Sequence, residues 1–159
     1  PDSNYRMVRE TLLAGAHVNP RGLFAMPTDG TPESAAARYE ENLRQQYGAS
    51  ILQPGLPLFD LLLLGLGADG HTASLLPGEP VLKERTRWVA AVPHGRDEAR
   101  LTLTYPALES SRLIVFMVAG ADKAEAVRRV RAGDASLPAG NLKPQGSVIW
   151  LLDRAAAGA

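Results

Sequence analysis

The sequence predicts an α/β fold, a three-layer sandwich around a mainly parallel sheet. Two apolar stretches, 59–67 and 112–120, are continuously hydrophobic, which is typical of strands covered on both faces in a parallel sheet. Helical patterns alternate with such stretches along the chain, and this alternation favours α/β units. The 159 residues are predicted to form one domain, 1–159, and a chain of this length buries roughly 70% of its unfolded surface.

Three helices are predicted from capping residues and apolar spacing. In the second, Glu40 and Arg44 are spaced for an i,i+4 ion pair. Each helix follows a residue that can cap it and ends before a glycine: 4–14 between Ser3 and Gly15, 32–47 between Thr31 and Gly48, and 123–132 between Asp122 and Gly133. Six apolar runs bounded by turn-forming residues are predicted strands: 22–27, 59–67, 88–93, 100–108, 112–120 and 147–153.

Composition and charge exclude several classes of partner. Lys plus Arg and Asp plus Glu each total 17, and the zero net charge argues against nucleic-acid or membrane-surface binding. The absence of cysteine excludes disulfides, thiolate metal sites and cysteine nucleophiles, and it agrees with a reducing compartment. The longest apolar run, 61–66, is too short to span a bilayer, and the first residues do not resemble a signal peptide.

Residues 65–70 fit the dinucleotide-binding pattern G-x-G-x-x-G. That pattern requires a long helix starting at the loop and an acidic residue at the end of the next strand. Here Pro77 and Gly78 stop any helix within about two turns. Glu84 lies near the expected distance, but in a charged stretch. The sequence therefore argues against dinucleotide binding.

A second interpretation of the same segment concerns His71. Gly65 and Gly67 follow a predicted strand and allow close approach of backbone or ligand. Ligands in α/β proteins bind beyond the carboxyl ends of strands, which is where His71 falls. A short helix predicted at 73–76 would favour a neutral imidazole, the form that accepts a proton, and Asp69 can hold the ring or a water. The alternative is that Asp69 and His71 only cap this helix and satisfy the turn.

The segment LGLGADGHTASLLPG, residues 64–78, closely resembles the signature L-G-[LIM]-G-x-D-G-H-T-A-S-L-[FL]-P-G of 6-phosphogluconolactonases. The resemblance covers almost the whole chain. Further matching segments are DSNYRMVRETLL, ARLTLTYPAL, VAGADKAEAV, LPAG and VIWLLDRAA.

This resemblance implies a parallel α/β sandwich related to glucosamine-6-phosphate deaminases and ribose-5-phosphate isomerases. It also implies hydrolysis of 6-phospho-D-glucono-1,5-lactone to 6-phospho-D-gluconate, a cytoplasmic step of the oxidative pentose phosphate pathway, with no metal or organic cofactor. His71 is then the general base that takes a proton from the attacking water, and Asp69 is the second catalytic residue.

Five residues are predicted to bind substrate. Lys123 lies in the first turn of a predicted helix, where the dipole disfavours a cation unless an anion shares the site. In the related deaminases this lysine contacts the sugar phosphate; the alternative is a solvated side chain. Arg100 opens a strand that the family keeps near the active site, where it either binds an anionic end of the substrate or only flanks the strand. Gly65, Gly67 and Gly70 complete the set.

Other polar residues are given lesser roles. His94 is predicted to be an exposed loop residue, and His17 to be structural or solvated. Asn4 is expected to support the loop before its helix. If this chain alone is active, Arg96 and Arg100 are the first candidates for phosphate binding.

The sequence departs from the family pattern in two places. The family's first strand, helix and second strand, with a G-G-x-T-P phosphate loop and a D-E-R stretch, have no counterpart, so the chain is expected to be an N-terminally truncated member. Self-association through exposed sheet edges and weak activity of these residues alone are expected in consequence. Gly140 stands where the family usually has Ser, which is expected to alter a loop near the site.

Two alternatives to a lactonase stay open. One is a deaminase or isomerase of the same superfamily, but the deaminase signature continues after D-G-H with I-A-F-N-E, whereas this chain reads T-A-S-L-L at 72–76. The other is a catalytically impaired chain that only binds a sugar phosphate.

Overall fold

The computed structural model describes residues 4–15, 19, 22–93 and 98–159. Ser3, His17, His94 and Arg96 lie outside the described residues. The elements in chain order are α1 (Asn4–Val8), a π-helical turn (Arg9–Leu13), α2 (Pro32–Tyr47), β1 (Leu62–Leu64), a 3-10 helix (Pro80–Lys83), β2 (Val89–Val92), β3 (Arg100–Leu103), α3 (Tyr105–Glu109), β4 (Leu113–Val118), a 3-10 turn (Ala121–Lys123), α4 (Ala124–Arg131), a 3-10 turn (Pro138–Asn141) and β5 (Ser147–Leu152).

The central feature is a parallel sheet in the order β1-β4-β5. Leu63 of β1 pairs with Val115 of β4, which pairs in turn with Ile149 of β5. Strands β2 and β3 form a separate antiparallel hairpin. The predicted α/β class with a mainly parallel sheet is confirmed. Because the three strands are parallel and paired in register, their carboxyl ends lie at one edge, where the loops that follow them meet.

One face of the sheet forms the main core. Ile114, Phe116 and Val118 are buried against Leu75, Tyr105 and the apolar side of α4. Phe116 also stacks on Trp150 of β5, with ring centroids 4.3 Å apart. Complete burial of a large aliphatic or aromatic side chain contributes roughly 1.5–3 kcal/mol, so this face supplies much of the stabilisation of the sheet.

The opposite face differs from the sequence prediction. The stretches 59–67 and 112–120 were predicted to be covered on both faces, yet several apolar side chains on the second face are 45% to 55% exposed: Leu61, Leu63, Met117, Ile149 and Leu151. They alternate along their strands with side chains of the main core, which are buried or half-buried, as the pleat requires. The described part of the chain therefore covers only one face at these positions.

Helix α2 agrees closely with its prediction. The Thr31 hydroxyl accepts a hydrogen bond from Ser34 N, and Gly48 ends the helix with φ +79°. The predicted ion pair is present, with Arg44 Nη2 2.5 Å from Glu40 Oε1. The sequence did not show that Glu40 is buried. Its Oε2 accepts hydrogen bonds from the amides that open the β2–β3 hairpin, Trp88 N at 2.9 Å and Val89 N at 3.0 Å, so α2 is tied to the hairpin.

Two predicted strands and one predicted helix cap are wrong in whole or in part. Residues 22–27 form no strand; this run is instead attached to α2, because Tyr39 donates a hydrogen bond to Phe24 O at 3.1 Å. The strand predicted at 100–108 ends at Leu103, and α3 begins at Tyr105 with Pro106 in its first turn. Asp122 makes no capping hydrogen bond, because its carboxylate binds Lys123 Nζ.

Most other helices and strands agree with their predictions within one or two residues, but the strand predicted at 59–67 is shorter at both ends, since β1 covers only Leu62–Leu64. Helical residues 4–13 match the prediction for 4–14, although the second half is a π-helical turn. The strands predicted at 88–93, 112–120 and 147–153 correspond to β2, β4 and β5. In the described part of the chain, no helix is long and apolar enough to cross a membrane.

Candidate active site

The candidate site begins where β1 ends, at the carboxyl edge of the parallel sheet. Residues 65–71 turn sharply there, and two backbone hydrogen bonds close the turn. Gly67 N donates to His71 O at 2.8 Å, and Gly70 N donates to Gly67 O at 2.9 Å. The chain therefore returns on itself and places Asp69 and His71 side by side.

Two of the three glycines are required by space and backbone conformation. A Cβ at Gly67 would overlap the His71 imidazole and would lie 2.5 Å from Asp69 Oδ1. Gly70 has φ +77°, and a Cβ there would lie 2.8 Å from the side chain of Leu137. Gly65 has open space around it. The glycines thus shape the turn, and their contact with a substrate stays a prediction.

The two predicted catalytic residues are in direct contact. His71 Nδ1 lies 2.5 Å from Asp69 Oδ1, and His71 N donates to the same oxygen at 3.2 Å. An ionised carboxylate accepts hydrogen bonds only, so Nδ1 is the protonated nitrogen of this contact, and in a neutral imidazole Nε2 then carries the lone pair. The His71 side chain is 22% exposed, which leaves part of the ring accessible. The pair can therefore accept a proton from a molecule bound at the edge of the sheet.

The ionisation of Asp69 supports this arrangement. Partial burial raises the pKa of the Asp69 carboxyl. Hydrogen bonds from the His71 ring and amide, together with the positive charge of the ring when it is protonated, lower this pKa by more, so the net shift is downward. Because this pKa is lowered, the ionised Asp69 carboxylate stabilises the folded state at neutral pH, and this stabilisation is lost only as the pH falls through the lowered value. The carboxylate is therefore ionised where a neutral imidazole can act as a base.

The helix predicted at 73–76 is absent. Ala73 has φ +49°, which is incompatible with a right-handed helix, and residues 72–75 form a tight turn in which Leu75 N donates to Thr72 O at 2.9 Å. The expected helix dipole therefore does not act on His71, and the pair has no helix to cap. Asp69 does satisfy the turn through His71 N, and it also binds the ring.

Buried hydroxyl groups fix the segment that follows His71. Thr72 is fully buried, and its hydroxyl donates to Gly65 O at 2.8 Å. Ser74 N donates to the hydroxyl of Thr102 in β3 at 3.0 Å. Sequence reasoning did not assign these residues to the site, although Thr72 and Ser74 both stand inside the motif at 64–78. They join the loop after β1 to the hairpin.

A second loop, residues 134–141, lies against the His71 turn. Ala139 N donates to Gly70 O at 2.9 Å, and Tyr105 donates from its hydroxyl to Pro138 O at 2.7 Å. Gly140 is required here, because a Cβ would overlap the backbone oxygen of Asp134. The glycine that departs from the family pattern thus allows a tight fold of the loop that supports the site.

Lys123 lies at the same edge of the sheet, between β4 and α4. It is the N-cap of α4 rather than a first-turn residue. Its Nζ is 2.7 Å from Asp122 Oδ2, and its side chain is largely buried. The hydrogen bond from Lys123 lowers the pKa of the exposed Asp122 carboxyl. In the described residues, no hydrogen bond or ion pair joins Lys123 to His71.

A carboxylate that sequence reasoning missed fixes the loop before Lys123. Asp153, directly after β5, accepts hydrogen bonds from Gly120 N at 3.1–3.2 Å and from Ala156 N at 2.7 Å. The strand order places this residue beside the end of β4. Only the pairing of two distant strands brings the two loops together, so no local pattern indicated the contact.

Arg100 lies apart from the His71 pair. It is exposed at the start of β3 and lines a cleft of about 430 Å³ between the hairpin and the beginning of α2. Other residues of this cleft include Met26, Thr28, Pro32, Ser74 and Glu98. Ser74 also belongs to the segment after His71, so the cleft adjoins the His71 turn. The side chain of Asn4 lies outside the described residues.

These features define a class of protein: an α/β protein with a His–Asp pair and a lysine at the carboxyl edge of a parallel sheet. A family model described as glucosamine-6-phosphate isomerases/6-phosphogluconolactonase matches residues 1–150. The chain belongs to this family.

Similar proteins agree with this membership. The chain is 41% identical to the 6-phosphogluconolactonase of Synechocystis sp. and 39% identical to that of Nostoc sp., in each case over 98% of its own length. It spans 65% of the length of each of these two relatives. A solved structure, that of the devB protein, superposes with a TM-score of 0.83 at 28% identity, over 98% of this chain and 66% of the other.

The turn provides a direct test of why glycine is needed. Gly67→Ala forces the imidazole or the carboxylate to move, so we expect a loss of about 1–3 kcal/mol in the free energy of unfolding, as for other overpacked sites. Gly65→Ala is the matched control, since it adds the same methyl group in open space. Urea unfolding of both variants measures the difference. Equal stabilities would contradict the close approach described above.

Proposed function

We propose that this protein is a 6-phosphogluconolactonase, which hydrolyses 6-phospho-D-glucono-1,5-lactone to 6-phospho-D-gluconate in the oxidative pentose phosphate pathway. The observation that carries the proposal is the Asp69–His71 pair, whose Nε2 is available at the edge of the sheet. The relatives named 6-phosphogluconolactonase support it, since they match almost the whole of this chain.

The reaction follows from the state of the pair. His71 Nε2 accepts a proton from a water molecule while the water oxygen attacks the lactone carbonyl carbon. Asp69 holds Nδ1–H and stabilises the imidazolium that forms. The tetrahedral intermediate then collapses, the bond from the carbonyl carbon to the ring oxygen breaks, and the imidazolium returns its proton to that oxygen. The carboxylic acid product loses a proton to solvent, so no oxidant or reductant is needed.

His71→Ala removes the base, and we expect the turnover number to fall by on the order of 10²–10⁴-fold. The measurement is the rate of lactone hydrolysis at neutral pH, corrected for spontaneous hydrolysis. The matched control is Asp60→Asn, which changes an exposed carboxylate that pairs with Arg112 away from the His71 turn. Wild-type turnover by His71→Ala would refute the role of the base.

The phosphate of the substrate is assigned to Lys123. A phosphate at the beginning of α4 would interact with the Lys123 ammonium and with the positive end of the helix dipole. In the present structure Asp122 holds Lys123 Nζ, so a bound phosphate must share or replace that carboxylate. The Asp122 carboxylate holds the Lys123 ammonium at the edge of the sheet before a ligand binds. This placement of the lysine supports its role in phosphate binding.

Two opposite substitutions test this assignment. Lys123→Ala should weaken binding of 6-phosphogluconate and change binding of gluconate much less. Asp122→Asn removes the competing carboxylate and should tighten binding of the phosphorylated ligand. Calorimetric titration of each variant with both ligands measures the effects. Equal losses for both ligands with Lys123→Ala would show that the lysine acts only on the structure.

The remaining predicted binding residues have distinct roles in this proposal. Gly67 N and Gly70 N are already bonded within the turn, and the protein's own side chains fill the space beside both residues, so these two glycines serve the substrate by shaping the turn rather than as amide donors. Gly65 lies beside open space, where the sugar ring fits. Arg100, on the wall of the adjoining cleft, is assigned to an anionic end of the substrate.

The alternatives are separated by sequence and assay. The residues after His71, T-A-S-L-L, do not match the deaminase signature, which argues against a deaminase or isomerase. A catalytically impaired sugar-phosphate-binding protein would bind 6-phosphogluconate but would not hydrolyse the lactone. A cytoplasmic location is part of the proposal and is compatible with a chain that has no cysteine.

Self-association through the sheet edges is also proposed. Strands β1 and β5 lie at the two ends of the sheet order, and each carries exposed apolar side chains. Unpaired strand edges with such side chains favour pairing between chains. We expect the mass of this chain in sedimentation experiments to rise with concentration. Leu151→Lys should reduce the effect, whereas Ile51→Lys, at an exposed position outside the sheet, should not; a constant monomer mass would contradict the proposal.

A further inference from the structure

The loop at 134–141, which we call the bracing loop, is held by an extensive set of hydrogen bonds. Asp134 Oδ2 accepts from Arg129 Nε of α4 at 2.8 Å, and Asp134 Oδ1 accepts from Ser136 N at 2.9 Å. Hydrogen bonds from Ser136 and Arg129 lower the pKa of Asp134 to about 2. Asn141 Nδ2 donates to Ala135 O at 2.6 Å across the loop. The loop thus has one defined conformation.

Tyr105 connects this loop to the core. Its side chain is 1% exposed, and its hydroxyl donates to Pro138 O at 2.7 Å. The guanidinium carbon of Arg85 lies 4.6 Å from the centre of the ring on one face, which is within the range of a cation–π contact. Burial raises the pKa of the Tyr105 hydroxyl, so the group remains a donor at neutral pH. The tyrosine is therefore a fixed anchor for the loop.

The loop in turn contacts the residue that precedes the candidate base. Ala139, next to Pro138, donates from its amide to Gly70 O at 2.9 Å. The Leu137 side chain lies 2.8 Å from the position that a Cβ of Gly70 would take. Because Gly70 adopts φ +77° and is followed directly by His71, a shift of the loop changes the direction in which the imidazole leaves the backbone.

We propose that Tyr105 is a positioning residue that holds His71 in the orientation required to accept a proton, through the bracing loop; the catalytic part rests on the proposed lactonase function. Tyr105 does not touch the reacting atoms. It acts on His71 through Pro138, Ala139 and Gly70. Loss of its hydroxyl lets the loop shift at Pro138 and Ala139, and the Asp69–His71 hydrogen bond loses its defined geometry.

Tyr105→Phe is the decisive variant, because it keeps the ring and its contact with Arg85 and removes only the hydrogen bond. Misplacement of a catalytic group by about 1 Å can cost on the order of 10²-fold, so we expect kcat to fall by about 10- to 100-fold with little change in KM. Tyr47→Phe is the matched control. It removes a hydroxyl that donates to Leu56 O at 2.9 Å, in a part of the chain that has no contact with the described bracing loop.

A second measurement does not depend on activity. Nitrogen-15 NMR reports the tautomer of His71, whose signal is assigned by its loss in His71→Gln. The wild-type and Tyr47→Phe proteins should show the Nδ1–H tautomer, and Tyr105→Phe should show a mixture of tautomers. If the wild-type protein lacks lactonase activity, the proposed function fails and this measurement still decides the positioning role.

An unchanged tautomer in Tyr105→Phe would overturn the proposal, whether or not turnover falls. If Tyr105→Phe does not fold, Asn141→Ala replaces it, because Asn141 Nδ2 stabilises the same loop through Ala135 O and Leu137 O. A mixture of tautomers in Asn141→Ala supports the inference, and the wild-type tautomer refutes it.

Discussion

The hydrogen bond between His71 Nδ1 and Asp69 Oδ1 is the constraint on which the rest of the site depends. It fixes the ring, assigns the proton to Nδ1 and leaves Nε2 free. A side chain at Gly67 would occupy the space of this contact. The absence of a helix after His71 makes the carboxylate more important, because no dipole is available to set the state of the imidazole.

The parallel sheet brings the other polar residues to the same edge. The loop after β1 carries the Asp69–His71 pair, the loop after β4 carries Lys123, and Asp153 after β5 fixes the backbone at Gly120. Each contribution comes from a different part of the chain, and only the strand order places them together. Backbone and hydroxyl hydrogen bonds, together with the contacts of the Asp69 carboxylate, give the His71 turn its shape.

Local patterns predicted much of the fold. The ends of α2 were predicted because Thr31 and Gly48 act within one turn of the helix, and β4 and β5 because their apolar runs are bounded by turns. The run at 22–27 has the same composition as a strand but finds a tyrosine hydroxyl instead of a strand partner. Side-chain competition also misled the prediction at Asp122, whose carboxylate binds the neighbouring lysine rather than a helix amide.

The sequence predicted the two catalytic side chains of the site, but not the contacts that hold them in place. The motif at 64–78 identified Asp69 and His71, and the structure brings them into contact. It did not show the positive φ of Ala73, which prevents the helix expected there. Tyr105 and the bracing loop were missed because the contacts from Tyr105 to Pro138 and from Ala139 to Gly70 join residues more than 30 positions apart. The need for glycine at 140 likewise became visible only in three dimensions.

The role of His71 can be tested in a structure of the protein with 6-phosphogluconate bound. We expect the sugar carboxylate, which replaces the lactone carbonyl, to lie beside His71 Nε2, joined to it through a water molecule or, when the ring is protonated, by a direct hydrogen bond, with the Asp69 contact intact. The phosphate should lie beside Lys123 Nζ. A carboxylate that binds away from His71, with the imidazole turned away from Asp69, would contradict the role of His71 as a base held by Asp69.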